Sequence, residues 1–230
     1  KLPAGSVVLL HASCHNPTGA DLSQAQWREL LDLFKRRHLL PYIDMAYQGL
    51  GVNADDDAYG IRLFAAELPE MLVAVSCSKN FGLYRERTGV LHVLTETTAA
   101  ADAALSQCVR IARSIYSMPP DHGAAIVAEI LGNEELRASW LRELQEMRER
   151  ISGLRREASR RLSAACPQHK PFASIENQRG MFSILGLSVD QVRELRNKHH
   201  IYMTDDSRIN IAGLRDENLD YFVRSVAQVV

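Results

Sequence analysis

The sequence predicts an α/β protein, with a mostly parallel sheet flanked by helices and a smaller α+β unit after it. Three observations carry that expectation. Short apolar runs bounded by turn residues alternate with amphipathic helical stretches over the first half of the chain. Polar residues stand just past the ends of those runs, where open α/β sheets gather ligands. Near residue 145 the pattern changes to a long charged helix followed by short extended pieces and two further helices.

The elements follow in order. Residues 7–10, Val-Val-Leu-Leu, read as a strand. Residues 23–37 read as a helix: Ser23 and Gln26 stand at capping-box spacing, and Trp27, Leu30, Leu31 and Phe34 share one face. Residues 39–43 form a short buried strand that ends at Asp44. Residues 58–67 are helical, 71–75 a strand, and 90–94 another strand after a turn at Gly89. Strands alternating with helices argue for a sheet covered on both faces. Asp44, Lys79 and the turn at Asn16 each follow a strand end, so three ends offer polar groups to one rim.

Residues 99–115 and 124–131 read as helices, and 134–165 as one long helix with Leu136, Trp140, Leu144, Met147, Ile151 and Leu154 along a stripe. The Arg-rich run 155–161 reads as a solvated face of that helix. Cys166-Pro167 ends it. Then come an extended piece at 181–185, a helix after Ser188, a strand at 208–211 and a closing helix with Leu219, Phe222, Val223 and Val226 at helical spacing. The expected division is 1–145 and 146–230, the second part including the rest of the long helix.

Bulk properties narrow the function classes. A chain of 230 residues, 46% hydrophobic and 24% charged, suits one large soluble domain, or one domain and part of a second. A net charge of -1 makes no electrostatic case for nucleic acid or a membrane surface. No apolar run reaches the ~20 residues of a membrane span. Cys14, Cys77, Cys108 and Cys166 are scattered without a CxxC pair, which fits free thiols in a reducing, cytoplasmic setting. The chain opens Lys1-Leu2-Pro3 without an initiator Met or signal peptide and enters a buried-strand pattern at once, the expectation for a fragment.

The segment 76–89 carries the most chemistry. Two serines and a lysine follow an apolar strand, and Arg87 comes after a short loop. Lys79 can form an imine, and Ser76, Ser78 and Arg87 can hold a phosphate; these are the parts that pyridoxal phosphate requires of a protein. By itself the segment is equally a strand and turn with solvated charges.

Three other constellations are similarly two-sided. His11, Cys14 and His15 could suggest zinc, but Pro17 and Gly19 make 11–19 a turn with no fourth ligand at suitable spacing, so no metal is expected. That turn either aims Asn16 at a ligand or is an Asn-Pro turn without a role. Asp44 at a strand end needs a cationic or donor partner, which a pyridinium nitrogen would supply, and Tyr47 could reach the ring oxygen; a helix cap and a core tyrosine are the alternative. Arg113 ends a helix before Pro119-Pro120, and Arg208 lies in an apolar strand. Each is suited to a carboxylate or phosphate, or to a structural ion pair.

Together these segments resemble the class I aminotransferases of pyridoxal-phosphate fold type I, in the aspartate and aromatic (tyrosine) branch. The matching strings are HNPTG (15–19), DMAYQG (44–49), SKNFGLYRERTG (78–89), YSMPP (116–120), NQRGMFS (177–183) and SRINIAGL (207–214). The resemblance implies pyridoxal 5'-phosphate as cofactor. It implies that Lys79 carries it as an imine and shuttles the substrate proton, and that Asp44 pairs with the pyridine nitrogen. Tyr47 and Asn16 would contact the ring oxygen, and Ser76, Ser78 and Arg87 the phosphate. Arg208 would clamp the substrate α-carboxylate. Arg113 would reach the neighbouring subunit's site to bind a distal carboxylate, which implies a homodimer. His11 and His15 would lie behind Asp44.

The implied activity is exchange of an amino group between an aromatic or acidic amino acid and a 2-oxo acid such as 2-oxoglutarate. A pyridoxal-phosphate lyase and a non-catalytic remnant are the alternatives. Cys77 stands where the family often has an aromatic residue, Met118 replaces an asparagine, and Ser207 replaces a common glycine. The resemblance implies that residues 1–145 are the C-terminal half of the large cofactor-binding domain and 146–230 the small domain with its connecting helix. It also implies a missing N-terminal part, hence an exposed sheet edge, an uncovered face, and a chain that alone folds poorly or binds cofactor weakly.

Overall fold

The computed structural model describes residues 2–230. The elements are β1 Val7–His11, α1 Gln24–Arg37, β2 Leu40–Met45, α2 Tyr59–Glu67, β3 Met71–Ser76, β4 Gly89–Leu94, α3 Thr98–Tyr116, α4 His122–Gly132, α5 Glu134–Ala165, α6 Pro171–Ser174, β5 Phe182–Ile184, α7 Val189–His199, β6 Arg208–Asn210 and α8 Asp216–Ala227. They fall into two compact units. The first comprises 1–13, 22–49 and 53–144; the second comprises 14–21, 50–52 and 145–230.

The first unit is built on a mixed four-stranded sheet of order β1-β2-β3-β4. β1, β2 and β3 run parallel, with His11 opposite Asp44 and Asp44 opposite Ala74. β4 is antiparallel to β3 because the connection between them is a loop, not a crossover helix. The alternation of side chains sorts the sheet into two faces. On one, Ile43, Met45, Met71 and Val73 pack with Trp27, Leu31, Phe34 and Phe64 of α1 and α2. The Trp27 and Phe34 rings meet Phe64 edge-on at 5.6 and 5.2 Å. Gly60 permits this closeness, since a Cβ there would lie 2.5 Å from the Trp27 ring. The opposite face carries Val7, Leu9, Asp44, Ala74 and Leu91. Val7 and Leu9 are 56% and 59% exposed and Leu91 is 50% exposed, so this face is not covered as strand–helix alternation alone would have it.

α1 starts as its sequence dictates. Ser23 accepts from the Gln26 N–H while the Gln26 side chain accepts from the Ser23 N–H. Its C-terminus closes at His38 in the left-handed conformation.

The second unit packs the C-terminal part of α5 (Ile151, Leu154, Ala158, Leu162) with α7, α8 and the antiparallel pair β5–β6. α7 carries the same capping box, at Ser188 and Gln191. One expectation fails here: the run 155–161 is not uniformly a solvated face. Arg156 and Arg160 are exposed, whereas Arg155 is 1% exposed and is the largest fully buried side chain. At 3.6 residues per turn, position 155 falls on the face of Ile151, Leu154 and Ala158, and the buried guanidinium is met there by backbone carbonyls. Among the described residues no helix is long and apolar enough to cross a membrane.

Candidate active site

In the first unit the candidate groups stand at the C-terminal ends of β2 and β3. Asp44 is half-buried on the uncovered face of the sheet. Three residues on, Tyr47 is buried, and the Lys79 ammonium stands over its ring, 4.9 Å from the centroid. That contact orients the half-buried lysine, with cation–π attraction of about 1 kcal/mol.

The turn carrying Lys79 is held from both sides. Ser76 Oγ donates to Ser78 Oγ at 3.1 Å and accepts from the Ser78 N–H at 3.2 Å. The Cys77 N–H donates to the Thr88 carbonyl. Below the lysine, the Trp140 indole N–H donates to the Asn80 carbonyl at 2.7 Å, and Phe81 stacks on Trp140 at 4.5 Å. The sequence carries no functional signal at Phe81 or Trp140 beyond the place of Trp140 on the apolar stripe of α5.

Arg87 is exposed, adopts a φ of 52°, and donates to the Tyr84 carbonyl at 3.0 Å. Burial pushes the Cys77 thiol up, so it is neutral at ordinary pH. Arg113 is exposed in the last turn of α3, whose apolar Leu105, Val109 and Ile115 are also exposed; nothing gathers Arg113 with Lys79. Met118 is 73% exposed.

In the second unit, Asn16 and Arg208 come together across a long stretch of chain: Arg208 Nη1 donates to Asn16 Oδ1 at 2.9 Å. The Phe182 ring lies under the Arg208 guanidinium at 4.9 Å. The fork is therefore held from one face and one edge, with the remaining donors available for a carboxylate. The preceding Ser207 is buried with a φ of 62°, and its hydroxyl accepts from the Gly186 and Leu187 N–H groups.

The Asn16 turn is closed by Asp21, which accepts from the Cys14 and His15 N–H groups at 2.8 and 2.9 Å, and His15 bonds Thr18 at 2.7 Å. No group of three or more metal-ligating side chains gathers among the described residues, and no disulfide joins their four cysteines.

A parallel-strand rim bearing a half-buried lysine, an acid, a phenol and paired hydroxyls, together with an arginine fork elsewhere, defines an α/β protein suited to amine and carboxylate chemistry. Residues 1–226 match the family model for aminotransferase class I and II, and the chain belongs to that family. The aromatic-amino-acid aminotransferase of Pseudomonas aeruginosa is 49% identical over 100% of this chain and 57% of its own length. The aspartate aminotransferase of the same organism is 43% identical over 100% of this chain and 57% of its own length. Among solved structures, the aromatic-amino-acid aminotransferase of Burkholderia pseudomallei covalently bound to pyridoxal phosphate superposes with a TM-score of 0.94 at 46% identity, covering 99% of this chain and 57% of that one. The chain thus spans little more than half the length of the curated relatives that it matches.

Proposed function

We propose that this chain carries the cofactor- and carboxylate-binding residues of a pyridoxal-phosphate-dependent aminotransferase. It exchanges an amino group between an aromatic or acidic amino acid and a 2-oxo acid such as 2-oxoglutarate. The observation that carries the reading is Lys79 held over the Tyr47 ring at the parallel-strand rim beside the end of β2.

The donor set suits pyridoxal phosphate group for group. Lys79 is an amine for its carbonyl, Asp44 an acid for its ring nitrogen, and Tyr47 a phenol for its ring oxygen. Ser76, Ser78 and Arg87 are hydroxyls and a guanidinium for its phosphate. When bound, the cofactor supplies an electron-withdrawing ring that acidifies the substrate's α-hydrogen. The Lys79 amine takes and returns that proton at Nζ, and the Tyr47 ring holds the amine in place. The turn pinned by Trp140 keeps Nζ from wandering.

In the second unit, Arg208 binds the α-carboxylate and Asn16 orients both the fork and the ring oxygen. The half-buried Arg208, held by Asn16 and Phe182, supports this role. Arg113 takes the distal carboxylate of a dicarboxylic substrate in the partner's site of a homodimer; the exposed apolar side chains of α3 around it support that assignment. Four cysteines without a disulfide support a cytoplasmic enzyme.

The test is an absorbance spectrum of the purified chain with pyridoxal phosphate beside a Lys79→Ala control. A protein-bound band present in the native chain and lost in the variant is expected. A band that survives the substitution overturns the assignment of Lys79, whereas a folded chain with no band shows that this chain does not hold the cofactor by itself and leaves the activity to a longer chain.

A further inference from the structure

The second unit contains a buried cation that the reaction chemistry above does not use. Arg155 of α5 is 1% exposed, and its guanidinium is saturated by one short segment of chain. Nε donates to the Gly180 carbonyl at 3.0 Å, and Nη2 donates to the carbonyls of Arg179, Gly180 and Phe182 at 3.1, 2.7 and 2.5 Å. Nη1 donates to Ser183 Oγ at 2.5 Å, which itself donates to Gln178 Oε1 at 2.6 Å. Burial lowers the guanidinium to about 10, with Cys14 and Asp21 acting in the opposite sense, so it is charged at neutral pH.

Stability is a poor reason for such a group. Desolvating a charge is costly, and an apolar side chain of similar volume often does as well; what a satisfied buried cation supplies is one defined conformation. The conformation held here is that of the segment behind Arg208. The Phe182 carbonyl is on Arg155, and the Phe182 ring is under the Arg208 guanidinium at 4.9 Å. The Arg179 N–H donates to the Gly19 carbonyl at 2.8 Å, and a Cβ on Gly19 would stand 3.1 Å from Arg155 Nη2. A Cβ on Gly180 would meet Cys14 at 2.4 Å. The turn that carries Asn16 is therefore seated on the same clamped segment, and Asn16 accepts the Arg208 bond. Both supports of the Arg208 fork lead back to Arg155.

We propose that Arg155 is a positioning residue for substrate-carboxylate binding: it locks residues 178–183 and, through them, the Phe182 ring and the Asn16 turn that aim Arg208. The proposal rests on the reading of Arg208 as the carboxylate clamp.

The experiment compares the native chain with Arg155→Lys, Arg155→Met, Ser183→Ala and Arg208→Lys. Two readouts are taken: the Arg208 Nε–Hε resonance, assigned by its loss in R208K, and the dissociation constant for 2-oxoglutarate. In R155K, which keeps the charge but not the fork, the resonance is expected to shift and affinity to fall about tenfold, with S183A moving both in the same direction by less. Where turnover is measurable, KM rises with kcat little changed. A folded R155K with an unmoved resonance and native affinity overturns the proposal. So does a loss of thermal stability alone, which is what a purely structural role produces. Should R155M not fold, R155K and S183A decide. A native chain that binds 2-oxoglutarate no better than R208K refutes the clamp reading instead, and the resonance then judges the positioning role by itself.

Discussion

Ser207→Ala tests the backbone that presents Arg208. Ser207 sits at a φ of 62°, where a non-glycine residue bears about 1–2 kcal/mol of strain. Its hydroxyl accepts from the Gly186 N–H at 3.1 Å and the Leu187 N–H at 3.2 Å. Leu187 is buried and Gly186 is exposed. Alanine keeps the strain and removes both bonds. The Gly186 N–H can turn to water at a net loss of about 0.5–1 kcal/mol, whereas the Leu187 N–H is left buried and unpaired at about 1–2 kcal/mol. The sum is about 1.5–3 kcal/mol.

Glycine at the same position loses the same bonds but relieves the strain, partly offset by about 0.5–1 kcal/mol of added chain entropy in the unfolded state. Its net cost is about 1–2 kcal/mol. The expected stability order is native, then S207G, then S207A. Denaturant midpoints read by far-ultraviolet circular dichroism measure it. Tryptophan fluorescence serves as an internal reference, because Trp27 and Trp140 both lie in the first unit. An S207A midpoint within about 0.5 kcal/mol of native, or S207G less stable than S207A, refutes the reasoning.

Two further outcomes are expected. Gly60→Ala drives a methyl to 2.5 Å from the Trp27 ring, and the overpacking of about 1–3 kcal/mol outweighs the ~1 kcal/mol that alanine adds to helix propensity; a fluorescence midpoint no lower than native contradicts this. Hydrogen bonds from Arg160 and Arg161 lower the Glu157 carboxyl to about 2, so its contribution is present above about pH 4.5 and lost as pH falls toward about 2. In a Tm series, Glu157→Gln therefore falls less steeply than the native chain between about pH 5 and pH 3, and parallel curves would exclude the effect.

Much of the fold was legible because its signals are local. Ser23 with Gln26 and Ser188 with Gln191 announce helix starts through bonds made three residues apart, and both boxes form. The apolar runs ending at Asp44 and before Lys79 are parallel strands, and their ends carry the candidate groups. The direction of β4 was not legible, since strand sense depends on how a loop returns and leaves no periodic mark. Arg155 shows the other limit. Its place on the Ile151–Ala158 face was available from helical spacing, yet a charged type inside an Arg-rich run reads as solvated until its carbonyl partners, 20 to 27 residues away, are seen.

The sequence by itself determined the family, the two capped helix starts at Ser23 and Ser188, and which side chains are the candidate reactive groups, because motifs and periodicities are properties of neighbouring residues. Only the tertiary structure decided which of those groups meet. Lys79 stands over Tyr47, Arg208 is held by Asn16 and Phe182, Arg113 is left exposed, and Arg155 turns from an expected surface charge into a buried group bonded to the carbonyls of Arg179, Gly180 and Phe182. Those pairings join residues far apart in the chain. They follow from the register of strands and the packing of buried faces, which no local pattern encodes.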